Sequence, residues 1–103
     1  MNLQILINIF QNDPGKFIPQ DSIYQLMAFL RGYCFAQNVV AIDSTGKPCQ
    51  DHELLESFAD YIRSQYSYDG ERISIEEVLY EVSPESAFEL FFEHWDGFIG
   101  VAH

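Results

Sequence analysis

Cys49 and His52 place a thiol three positions from an imidazole, the pair that a cysteine nucleophile and its base would use. Asp51-His52-Glu53 and Glu89-x-x-x-Glu93-His94 add carboxylates beside histidines, groups that bind divalent metals. Spacing counts against both chemistries. Cys49 and His52 fall at a loop-to-helix junction with no Gly-rich oxyanion turn. Neighbouring residues on a helix point about 100° apart, so neither acidic-histidine cluster converges on one ion by itself. Helical carboxylate-bridged metal proteins use Glu-x-x-His, whereas Phe91 stands three before His94 and Cys49 three before His52. Ser22, Ser74 and Ser83 sit where helices are expected to begin, and capping accounts for them. With no G-x-S-x-G, phosphate-binding Gly loop or nucleotide fingerprint, the expectation is a protein that is not an enzyme and uses no metal or cofactor.

The remaining signal is charge. Glu85, Glu89 and Glu93 recur every fourth residue, with Asp96 one turn on, and in a helix all four fall within about 80° around the axis. Like charges at that spacing each cost about 0.2–0.5 kcal/mol, and no Lys or Arg follows Arg72 to relieve them. The chain has 103 residues, 16 acidic and 5 basic, for a net charge of −11. Acids and bases cancel over residues 1–50, so the whole excess belongs to residues 51–103. A one-sided field of that kind attracts basic surfaces and repels nucleic acid and anionic membranes. Asp51, Glu76, Glu77 and Glu85 fall in expected first turns, where the helix dipole favours them. Glu89, Glu93 and Asp96 lie beyond that help, with Asp96 near the expected helix end. Two readings stay open: a solvated exterior, or a docking surface for a basic protein in which Glu56, Asp60 and Asp69 flank the row.

The elements that position these groups read as helices joined by polar loops. An aromatic content of 16% and an apolar content of 48% are far above those of a disordered acidic tail. One domain, residues 1–103, fits the length. Residues 3–11 suit helix or strand, because Leu3, Ile5, Ile7 and Ile9 alternate while Leu6 and Phe10 fit a helical stripe. Asn12-Asp13-Pro14-Gly15 breaks the chain, and Pro19-Gln20-Asp21-Ser22 leads to a second helix ending near residue 37. Residues 43–50 read as a loop. Asp51 is placed to cap a third helix with Leu54, Leu55, Phe58, Ile62 and Tyr66 on its inner face. After the turn Tyr68-Asp69-Gly70-Glu71, Ser74 opens a short helix burying Ile75, Val78, Leu79 and Val82. The last helix is expected over residues 84–96, burying Phe88, Phe91, Phe92 and Trp95 and ended by Gly97. The expected fold is an all-α single-domain bundle of four to five helices. Tyr61 and Tyr66 suit the edge of that core, whereas Tyr68, off any helical period, is expected as an exposed anchor. No apolar run approaches the roughly 18 residues that span a bilayer, and two cysteines read as free thiols suit a reducing cytoplasm.

The segments Phe29-Leu30-Arg31-Gly32-Tyr33-Cys34-Phe35-Ala36 and Ala87-Phe88-Glu89-Leu90-Phe91-Phe92-Glu93-His94-Trp95-Asp96-Gly97-Phe98 resemble parts of small acidic bacterial immunity proteins encoded beside polymorphic or contact-dependent toxins. The resemblance spans about 20 of the 103 residues and carries over no binding residue. It implies a cytoplasmic inhibitor that blocks the active site of a cognate basic toxin, many of which are nucleases. From the residues themselves, Glu89, Glu93 and Asp96 are expected to face the basic partner, with Glu56, Asp60, Asp69 and Tyr68 around them. Two other classes remain: an adaptor that self-associates through its aromatic surface, and a small metal protein or enzyme using Asp51, His52, Glu93 and His94.

Overall fold

Leu3, Leu6, Ile7 and Phe10 are buried while Ile5 is exposed, so the first apolar run follows the helical period rather than the alternating one. It forms α1 (Leu3–Asn12), whose first turn is capped by the Asn2 side chain accepting from the Ile5 N–H at 2.9 Å. The computed structural model describes residues 2–13, 22–47, 49–68 and 72–102. The expected breaks at Pro14-Gly15 and Pro19-Asp21, and the turn residues Asp69 to Glu71, lie outside the described residues.

Four further helices follow: α2 (Ile23–Thr45), α3 (Gln50–Gln65), α4 (Ile75–Val82) and α5 (Ala87–Ala102). Ser22 and Ser74 cap α2 and α4 as their spacing predicts, each hydroxyl accepting a backbone N–H three residues on at 3.3 Å. α2, α3, α4 and α5 each touch the other three, giving an all-α bundle. Its centre is Phe58 of α3, which meets Phe91, Trp95 and Phe98 of α5 at centroid distances of 5.3, 5.0 and 5.3 Å. The pairs with Phe91 and Trp95 are edge-on, and contacts of that kind add about 0.5–1.5 kcal/mol each beyond area burial. α1 closes the bundle through Phe10, edge-on to Phe29 of α2 at 5.0 Å. Among the described residues no helix is long and apolar enough to cross a membrane.

Three boundaries differ from the sequence expectation. α2 runs on to Thr45 instead of ending near residue 37, because nothing before Gly46 breaks it. Gly46 adopts φ 76° and its N–H returns to the Ile42 carbonyl at 2.9 Å, a left-handed stop that glycine makes without strain. α5 starts at Ala87 after a turn over residues 84–86, so Glu85 is not on the helix. It then passes through Gly97 and Gly100, since neither takes a left-handed backbone and Phe98 between them is buried. Val82, expected in the core, is exposed, whereas Glu76 in the first turn of α4 is buried.

Candidate functional site

Glu89, Glu93 and Asp96 are all exposed on α5, on the side opposite Phe91, Trp95 and Phe98. With Glu85 off the helix the row holds three carboxylates, within about 60° of one another. Ion pairs among the described residues join Arg31 to Glu76 and Arg63 to Asp60, and none involves this row. Gln11 of α1 donates its Nε2 hydrogen to Asp96 at 3.1 Å, which fixes one end of the row. The longer helix changes the dipole argument. Glu89 now stands in the first turn, where a negative charge is favoured, and Asp96 stands in the interior rather than at the unfavourable end. Only Glu93 keeps the electrostatic position expected for it.

The flanking residues divide. Glu56 is exposed at the mouth of a cleft between α2 and α3. Asp60 is exposed but accepts from Arg63 at 2.5 Å, and the same guanidinium reaches the Ile73 carbonyl at 2.9 Å. That carboxylate is therefore already neutralised locally. Tyr68 corrects the expectation of an exposed anchor: it is half-buried and packs against the core. The cause is the way α3 ends. Tyr68 N–H returns to the Arg63 carbonyl at 2.7 Å and Ser67 N–H to that of Ser64 at 3.4 Å, the two bonds of a Schellman cap. Ser67 takes the left-handed position at φ 64°, usually glycine's, and folds the next side chain back onto the helix. Asp69 lies outside the described residues.

Beside the acidic row is a part-buried polar pair that joins Tyr66, expected at the core edge, to His94, by sequence only a metal-ligand or catalytic candidate. Tyr66 Oη lies 2.5 Å from His94 Nε2, and the two rings meet edge-on at 5.2 Å. Burial lowers the His94 pKa from the usual imidazole value, with Glu93 opposing it. Burial, with Glu93 adding to it, raises that of Tyr66. Asp51 has a different role from the one expected. It stands in the first turn of α3, but its carboxylate accepts from the Leu3 N–H at 3.1 Å and from Tyr33 Oη at 3.3 Å. It thereby caps α1 across the fold, a long-range role that local sequence does not signal. Asp51 and His94 are thus held by different partners, and among the described residues no three metal-ligating side chains gather at one point.

The feature that sequence reading missed is the α2–α3 cleft, a cavity of about 280 Å³. Met27, Cys34, Leu55 and Ile75 line it from the buried side, and Phe35, His52 and Glu56 line its mouth. At one edge Arg31 pairs with the nearly buried Glu76 through both carboxylate oxygens, one at 2.5 Å. Burial by itself raises the Glu76 pKa, but the Arg31 hydrogen bond and its own backbone N–H outweigh it and hold the acid below its usual range. Burial pushes the Cys34 thiol up to about 11, so it stays protonated and a poor nucleophile at neutral pH. The signal that points here is Arg31, a charge at the edge of the inner stripe of Met27, Leu30 and Cys34, within reach of the buried Glu76 that needs a counter-charge. No family model, curated protein or solved structure matches the chain.

Proposed function

We propose that this protein is a non-enzymatic, cytoplasmic inhibitor of the immunity type, which binds a basic protein and covers its active site. The observation that supports this reading most is the α5 row: Glu89, Glu93 and Asp96 are exposed together, and among the described residues no cation neutralises them. Carboxylates held on a rigid helix stand where a nuclease would otherwise hold phosphates, which suits a basic toxin cleft of that class. Complementary charge of this kind raises association rates by about 10–10³-fold at low salt. Rim charges mainly steer, so tight binding also needs apolar anchors.

The test is replacement of Glu89 and Glu93 by alanine, with affinity measured against the partner isolated on the wild-type protein. The expected result is weaker binding with a shallower salt dependence and a melting temperature no lower than that of the parent. Unchanged affinity removes the acidic row from the interface. A second reading, a self-associating adaptor, is favoured by one observation: Phe35, Val39, Val40 and Ile42 of α2 are exposed. Sedimentation separates the two, since an adaptor forms a salt-insensitive dimer and an inhibitor is monomeric until it meets its partner.

A further inference from the structure

Beyond Cys34 no side chain of α2 is buried, yet the helix continues for three more turns. Phe35, Val39 and Ile42 follow one another at i, i+4 and i+7, so they form one apolar strip along that extension. They are 71%, 51% and 48% exposed. No charged residue occurs between Gly32 and Ile42. Phe35 also lines the mouth of the α2–α3 cleft, and Asn38 on the same side ties the helix to α3 by accepting the Cys49 N–H at 2.9 Å. Strip and cleft are therefore one continuous apolar surface.

Its rim is acidic. Glu56 lines the cleft, and Glu56, Glu76 and Glu77 all act on Arg31, the one Lys or Arg among the described residues that line it, which is committed to Glu76. We infer that the α2–α3 cleft receives an aromatic or leucine-sized side chain from a Lys- or Arg-bearing segment of the partner protein, with the Phe35–Val39–Ile42 strip seating the apolar residues beside it. The inference rests on the basic-partner reading and supplies the desolvated anchor that the acidic row lacks.

A second copy of the chain is a poorer occupant on two counts. The strip is three side chains, each only partly exposed, and falls well short of the ~800 Å² per partner that a stable interface buries. A copy is also acidic overall, at −11, so it brings a net negative charge to the acidic rim. An inserted anchor on a basic segment satisfies both the cavity and its rim.

The experiment selects random peptides displayed on phage against the purified full chain, then measures the labelled winners by fluorescence anisotropy. The expected consensus is an aromatic or leucine residue flanked by Lys or Arg. Phe35→Glu, at an exposed position, and Ala59→Trp, which fills the cleft, are each expected to weaken binding by about tenfold or more. Glu89→Gln with Glu93→Gln is expected to change it by less than about twofold. Basic peptides that depend on Glu89 and Glu93 but not on Phe35 overturn the cleft assignment and leave the basic-partner reading standing. Uncharged or acidic peptides seated in the cleft overturn the basic-partner reading instead. Absence of any enriched peptide, or a dimer dissolved by Phe35→Glu in sedimentation, overturns the inference.

Discussion

At Arg31 and Glu76 a carboxylate is taken nearly out of water and matched by a guanidinium that remains half in it. Removing the guanidinium leaves the acid buried without its counter-charge. Arg31→Met is therefore expected to lower stability by about 1–3 kcal/mol, measured by urea unfolding at neutral pH, with Glu76→Gln in the same background recovering part of the loss. His94 responds to acid through burial. Its folded pKa lies below the usual 6.5, so the unfolded chain takes up the proton first and stability falls as pH drops through that range. The urea midpoint is expected to decline between about pH 7.5 and about pH 5.5, and His94→Gln to flatten that decline. A midpoint independent of pH in the parent protein contradicts the burial assigned to His94. These residue-level features were only partly legible in the chain. Ser22 and Ser74 announce their caps by spacing, but the partners of Asp51, Glu76 and His94 come from other helices.

Helix extents were legible where apolar spacing continues and lost where it stops. Leu26, Met27, Leu30 and Cys34 mark the inner stripe of α2, but the residues after Cys34 bury nothing, so periodicity gave no reason to extend the helix to Thr45. Gly97 looked like a stop, yet glycine ends a helix only where the backbone turns left-handed, as at Gly46. Ser67 makes the converse point, ending α3 in a left-handed conformation with no glycine to announce it. The two kinds of glycine are expected to respond oppositely to alanine. At Gly32, inside α2, an added Cβ meets nothing within 4 Å, so Gly32→Ala is expected to stabilise by up to about 1 kcal/mol. At Gly46, with its positive φ, alanine is expected to cost about 1 kcal/mol. In a domain of this size either change shifts the melting temperature by about 4–8 °C, which calorimetry resolves. The all-α bundle itself was legible, because its aromatic stripes keep the 3.6-residue period through α3 and α5.

The chain as a whole carries −11 charges with the excess in its second half, and α5 presents three of those acids on one exposed face. That much followed from composition. The apolar strip on α2 lies in the electrically balanced half, and charge counting gave no hint of it. In the proposed interface the field would govern how fast a partner arrives and the strip how long it stays. The most direct measurement is the association rate with the isolated basic partner, taken by stopped flow from low to high salt. The wild type is compared with a form carrying Glu89→Gln, Glu93→Gln and Asp96→Asn. If α5 presents its carboxylates to a cationic surface, the wild-type rate falls steeply with salt and the neutralised form starts lower on a flatter line. Superimposable lines for the two proteins would mean that the acidic row serves only to keep α5 hydrated.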